Sequence, residues 1–183
     1  DKMGYTNTDV AQSFWRSHYY DIGQNNMKLI EWAIENKQWE IAGAGKAIFA
    51  WSWLVTTEQY GEVIMRQAFD TERQQFDYDS QADVYDSVRV MCDNAIAFLN
   101  RTDGAVSATN LKYGDNYFYG GDVNKWKKFV YAVKARTFAH LSNKAIYTSK
   151  NFADSVIKYC DLSIASNADN AVQKWVGGNF SGT

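Results

Sequence analysis

Residues 41–69 read IAGAGKAIFAWSWLVTTEQYGEVIMRQAF, and the fold class turns on how this stretch is read. Ile41, Ala44, Ile48, Trp51 and Val55 follow a 3-4-3-4 spacing, which is one stripe of an α-helix. Phe49, Trp53 and Tyr60 fall on a second stripe. A helix that is apolar nearly all round has to be covered on several sides, so the pattern predicts a helix at the centre of a stack. Gly43, Ala44, Gly45, Ala47 and Ala50 are small enough for neighbouring backbones to come close. Tyr60-Gly61 is the predicted stop, with Gly61 as a left-handed cap at no steric cost. Residues 62–69 then read as a short irregular or extended run.

Working outward, residues 21–37 read as a helix with Ile22, Leu29, Ile30, Ala33 and Ile34 inward, paired with the central helix 38–60 as a hairpin. Phe14, Trp15, Tyr19 and Tyr20 are the first apolar anchors after a polar, irregular 1–13. Residues 69–78 form a polar connection. Ser80 with Asp83 is a capping-box variant that opens a helix, whose core stripe is Val84, Val88, Met91, Ala95 and Leu99. Residues 105–121 read as a loop. Asp122 caps a helix to about Asn143, carrying Trp126, Val130, Val133 and Leu141 along one side. Asn151 caps the last, 152–165, and 166–183 reads as irregular. No strand signal stands out, and helix stacking buries Trp51, Trp53 and Trp126 together. The expected fold is all-α, one domain over 1–183, with helices in pairs. The spacing of the pairs is irregular, and the tetratricopeptide Trp-x-x-Leu-Gly-x-x-Tyr pattern is absent.

A net charge of −2 excludes a strongly basic surface, so nucleic acid is not an expected partner. No apolar run reaches the ~18–20 residues of a membrane span. Proline is absent, although about nine would be usual at this length; a helical stack needs few, and nothing else in the sequence explains it. Cys92 and Cys160 both sit on apolar helix faces and read as buried free thiols, with a disulfide between two helices as the alternative. His18 and His140 have no Cys, His or carboxylate partner at metal-ligand spacing, and no metal or cofactor is expected. The Gly43–Lys46 run lacks the spacing and preceding strand of a phosphate loop. Glu58 with Glu62, and Asp77 with Asp79, are the carboxylate pairs available for glycoside hydrolysis, but each has a structural explanation. No catalytic residue is assigned.

Aromatic residues are abundant: seven Trp, twelve Tyr and ten Phe. Most belong to a ring-rich core, which leaves two candidate stacking platforms. One is the loop Tyr113-Gly114-Asp115-Asn116-Tyr117-Phe118-Tyr119, where Tyr113, Tyr117 and Tyr119 would stack on a sugar while Asp115 and Asn116 hold hydroxyls. The competing reading pins Tyr117, Phe118 and Tyr119 onto the helix that follows. The other platform is Trp15, Tyr19 and Tyr20; Trp15 and Tyr20 are its candidate ligand residues.

Four segments carry a family resemblance: Thr57-Glu58-Gln59-Tyr60-Gly61-Glu62-Val63, then Gln67-Ala68, then Tyr78-Asp79-Ser80-Gln81-Ala82-Asp83-Val84-Tyr85, then Tyr119-Gly120-Gly121-Asp122-Val123-Asn124-Lys125-Trp126-Lys127-Lys128-Phe129. In that order they resemble the SusD/RagB family of outer-membrane nutrient-binding lipoproteins, with Ile64 standing where the family has proline. The resemblance implies a stack of tetratricopeptide-like hairpins, of which this chain is the N-terminal, incomplete part. It further implies a non-catalytic cell-surface protein that binds oligosaccharides, or sometimes peptides, and passes them to a SusC-like TonB-dependent transporter. The site would be the outer face of the outer membrane, held by a lipid anchor that this chain does not carry. The alternatives are a helical-repeat protein–protein adaptor and, less strongly supported, an all-helical glycosidase.

Overall fold

The computed structural model of the chain describes residues 10–116 and 118–172. Every regular element among them is helical, apart from one isolated antiparallel bridge between Val63 and Asp79. Helix α1 (Val10–Arg16) runs without a break through a π-helical segment (Ser17–Gln24) into α2 (Asn25–Glu35). Then come α3 (Trp39–Tyr60), α4 (Gln81–Leu99), α5 (Ala108–Gly114), α6 (Val123–Ala139), α7 (Ala145–Ser149) and α8 (Phe152–Asp161). A 3₁₀ turn, Asn167–Asp169, follows. α3 packs on α2, α4 and α6, α4 packs on α6, and α6 packs on α8. Successive long helices stack in chain order, which is the tetratricopeptide-like arrangement of hairpins.

α3 sits at the centre because its small residues admit its neighbours. A Cβ on Gly43 would lie 2.6 Å from Leu99 Cγ of α4, and one on Gly45 would lie 2.8 Å from Ile30 Cγ1 of α2. Asn26 Nδ2 donates to the Gly45 carbonyl at 2.8 Å, tying the two helices at that point. Trp53 and Leu54 are buried completely, with Val84, Val88, Trp126 and Val130 around the same core. The two stripes fare differently. Phe49 and Trp53 are buried, but Ile41, Ile48 and Val55 are half-buried and Trp51 is 39% exposed. The expectation that Trp51 is buried beside Trp53 and Trp126 is therefore corrected. The neighbours that enter at Gly43 and Gly45 occupy the other faces, and Trp51 points where the described residues leave a gap.

The first helix also departs from the reading. It begins at Val10, inside the expected irregular 1–13, and not at residue 21. Its inward residues are His18, Gly23, Asn26, Ile30 and Ala33, while Leu29 and Ile34 face outward at 43% and 39% exposure. The step from His18 to Gly23 is five residues, because the π-helical turn holds one residue more and rotates everything around it. Further on, α5 occupies part of the expected 105–121 loop, α6 ends at Ala139, and α8 ends at Asp161. Residues 1–9 and 173–183 of the expected irregular termini lie outside the described residues.

The expected caps at Ser80 and Asp122 are present. Ser80 Oγ accepts from the Asp83 N–H at 3.2 Å, and Asp122 Oδ1 accepts from the N–H groups of Asn124 and Lys125. Asn151 differs: it stands in the left-handed region at φ 50° and accepts no capping bond. Gly61 has φ 81° and ψ −110°, a conformation glycine tolerates but not the left-handed helical one expected. Both cysteines are free; Cys92 is buried as expected, but Cys160 is exposed.

The π-helical turn places His18 in the core, 1% exposed. Its Nδ1 shares a hydrogen bond with Ser52 Oγ at 2.7 Å, and its ring lies edge-on to Trp53 at 4.2 Å. Burial lowers its pKa from 6.5 to about 4. The unfolded imidazole takes up a proton near pH 6.5 and the folded one does not until about pH 4. Folding stability attributable to His18 is therefore complete above pH 6.5 and is lost as pH falls towards 4, by at most about 3 kcal/mol. Urea titrations at pH 7.5 and 4.5 are expected to show a smaller acid loss in His18→Gln than in the wild type; equal losses would refute this.

Candidate functional site

The connection between α3 and α4 is irregular yet well tied. Asp79 Oδ2 accepts from the backbone N–H groups of Met65 and Arg66, both at 2.8 Å, and Oδ1 accepts from the Arg66 guanidinium. Burial of Asp79 alone raises its pKa, but those two N–H groups and the Arg66 charge outweigh it and hold the carboxyl below its usual range. Gln67 and Asp77 close a second tie, with Gln67 Nε2 donating to Asp77 Oδ2 and the Asp77 N–H donating back to Gln67 Oε1. These bonds bring residues 63–68 against 76–79 and fix a small cleft.

That cleft, about 170 Å³, is lined by Trp15, Tyr19, Ile64, Ala68 and Phe76. Trp15 reaches it from α1. Its ring lies 4.7 Å from Tyr19, 5.0 Å from Tyr60 and 6.5 Å from Tyr78, measured between centroids. Tyr19 donates its hydroxyl to the Ile64 carbonyl at 2.8 Å, and burial raises its pKa far above the usual phenol. It is a fixed wall of the cleft. Phe76 on its lining is 37% exposed, and Tyr78, next to Trp15, is 60% exposed. The aromatic lining of Trp15, Tyr19 and Phe76 suits a ligand with an apolar face.

The candidate residues do not form one site. Trp15 is in the cleft. Tyr20, 60% exposed, stands with the Arg16 guanidinium 5.6 Å over its ring. Tyr113 is 79% exposed on α5, and Tyr117 lies outside the described residues. Tyr119 does not stand out from a loop as a platform: it is 7% exposed, with its ring edge-on to Trp126 at 5.3 Å, on the wall of a separate cavity that it shares with Trp51 and Phe129. Asp115 does not hold hydroxyls either. It is buried and accepts from the Tyr119 N–H at 3.1 Å, the Gly121 N–H at 3.0 Å and Trp126 Nε1 at 2.8 Å. The competing reading of this loop, as a pin onto the following helix, describes Tyr119. Tyr78 and Phe76 were missed because they lie in a polar connection; two rings there with no helix to pack in were the available signal.

Glu58 is likewise held structurally. It accepts from Arg136 Nη2 at 2.5 Å, from His140 Nδ1 at 2.6 Å and from the Tyr85 hydroxyl at 3.4 Å, linking α3 to α4 and α6. Among the described residues no three His, Cys, Asp or Glu side chains are grouped as metal ligands, and no helix is long and apolar enough to cross a membrane.

The SusD-like family model described as "Starch-binding associating with outer membrane" matches residues 1–181. Among solved structures, a SusD/RagB family protein from Bacteroides thetaiotaomicron is similar over 86% of this chain and 32% of its own, at 23% identity and TM-score 0.71. A SusD homolog from Bacteroides uniformis is similar over 87% of this chain and 32% of its own, at 25% identity and TM-score 0.70. A chitin-binding protein is similar over 91% of this chain and 35% of its own, at 23% identity and TM-score 0.72. This chain spans about a third of the length of each. No curated protein sequence matches it.

Proposed function

Because this chain belongs to the SusD-like family, we propose that it is the helical portion of a non-catalytic glycan-binding protein of the cell surface. The supporting observation is the aromatic cleft between α1 and the α3–α4 connection, with part-exposed Phe76 on its lining and exposed Tyr78 beside Trp15. Trp15, with Tyr78 6.5 Å from it, would offer ring faces to the C–H side of a sugar. Tyr20 and Tyr113, both exposed, are secondary contacts for a longer chain. The two solved relatives named as SusD proteins and the one named as chitin-binding make a polysaccharide the first ligand to try.

On this reading the protein lies on the outer face of the outer membrane, lipid-anchored, and delivers its ligand to a SusC-like TonB-dependent transporter. The helical stack supplies a rigid face for that partner. Neither role asks for a cofactor.

Calorimetry of the 183-residue chain against amylose and chitin oligosaccharides tests the site. Tyr78→Ala and Trp15→Ala are expected to weaken binding at least ~10-fold, equivalent to about 1.4 kcal/mol. Tyr78 is exposed, so its variant keeps the fold. Unchanged affinity in Tyr78→Ala and Trp15→Ala would remove the cleft as the site. Co-purification of the protein with a large outer-membrane barrel tests the transporter assignment separately; a protein–protein adaptor would bring down neither barrel nor glycan.

A further inference from the structure

The cleft at Trp15 owes its shape to the helix behind it as well as to the ties at Asp79. From Val10 to Glu35 the helix departs from α geometry only in the π-helical segment Ser17–Gln24. Such turns are rare and frequently stand at functional sites. Two contacts run from this segment to the α3–α4 connection. Tyr19 donates its hydroxyl to the Ile64 carbonyl at 2.8 Å. Five residues further along the connection, the Phe69 ring lies so close to Gly23 that a Cβ there would stand 2.5 Å from its Cζ and 2.9 Å from its Cε1. These two points bracket the run that supplies Ile64 and Ala68 to the cleft.

Gly23 is buried, and its backbone is not among those with positive φ, so no turn asks for glycine there. Inside a helix glycine is a weaker choice than alanine. What requires it is space: a side chain would meet the Phe69 ring, and the His18 carbonyl at 2.9 Å. The five-residue step from His18 to Gly23 lets His18 fill the core at Trp53 while Gly23 opens beside it for Phe69. Phe69 has no room to turn aside. Its ring also meets Phe49, Tyr19 and Trp53, with centroids 5.9, 6.4 and 6.4 Å away. Carbon atoms rest at ~3.5–4.0 Å, so a methyl at Gly23 would drive the ring off by roughly 1 Å. The walls of a binding site have to be held within about 0.5 Å. Ala68 precedes Phe69 in the chain and moves with it.

We propose that Gly23 is a positioning residue of the ligand cleft: the space it leaves seats Phe69, and Phe69 sets the Ala68 wall facing Trp15. Its effect on a ligand rests on the reading of that cleft as the binding site; its effect on the wall does not.

Variants of the 183-residue chain test this. Gly23→Ala is compared with Gly23→Ala plus Phe69→Leu, which shortens the ring that clashes. Gly43→Ala is the control, since it sets a comparable clash, 2.6 Å from Leu99, on the α4 side of α3. The methyl carbon-13 resonance of Ala68, assigned by its loss in Ala68→Gly, reads the wall with no ligand present. It is expected to shift in Gly23→Ala, to move back when Phe69→Leu is added, and to stay in place in Gly43→Ala. An unmoved signal in Gly23→Ala would overturn the proposal. So would an equal shift in Gly43→Ala, which would make the effect a general loss of packing. Should Gly23→Ala not fold, Phe69→Leu alone carries the same expectation for the Ala68 methyl, and an unmoved signal there overturns the proposal. Calorimetry with amylose and chitin oligosaccharides is expected to show at least ~5-fold weaker binding in Gly23→Ala, with recovery in the double variant. Wild-type affinity in a folded Gly23→Ala would overturn the proposal too. If the wild type binds neither glycan, the glycan reading falls, and the methyl signal by itself supports or overturns the role of Gly23.

Discussion

Trp53→Ala lowers the free energy of unfolding by about 4 kcal/mol, the upper part of the range for deleting a buried ring. Trp53 is 1% exposed at the middle of α3. His18, Tyr19, Phe49 and Phe69 surround it, with centroids 4.2, 5.6, 5.8 and 6.4 Å away. Those rings come from three separate segments, so no single movement closes the cavity an alanine leaves. Trp53 Nε1 has no hydrogen-bond partner among the described residues. Trp53→Phe therefore loses volume but no bond, and is expected to cost less than half as much. Urea titration followed by circular dichroism reads both values. An alanine variant within about 1 kcal/mol of the wild type would show that the helix is not the centre of the core.

Asp115→Ala is expected to cost about 3 kcal/mol or more, through polarity where Trp53→Ala acts through volume. The carboxylate holds two backbone N–H groups and the Trp126 indole, all three bonds buried. Deleting it leaves those donors without an acceptor in a place water reaches poorly. Asp115→Asn keeps one acceptor oxygen and should fall between the two. Loss of the staple also frees the Trp126 ring, so the folded variant's tryptophan emission should shift to longer wavelength. An alanine variant as stable as the wild type, with unchanged emission, would mean that the loop is held by Tyr119 packing and not by Asp115.

Asp115 also shows where sequence reading of the site reached its limit. An aspartate between a glycine and an asparagine in an aromatic loop has the chemistry of a sugar ligand. It has equally the chemistry of a loop staple. The partner that decides is Trp126 Nε1, eleven residues on and beyond a change of chain direction. Trp15 was legible as a possible platform because it precedes the first strong helix pattern in polar surroundings. Its neighbour Tyr78 was not, since more than sixty residues separate them and only the ties at Asp79 and Gln67 fold the connection back onto α1.

The sequence by itself determined the all-helical class, the extent of α3 and the starts of α4 and α6. Those features depend on local rules: apolar period, side-chain caps at Ser80 and Asp122, and a glycine where the chain must turn. Tertiary structure alone decided which face of α3 is covered. A helix apolar on every side has no preferred orientation of its own, so the approach of Leu99 at Gly43 and Ile30 at Gly45 sets it. It likewise decided the inward face of the first helix, because one π-helical turn rotates all later positions, and that rotation answers to how His18 packs in the core.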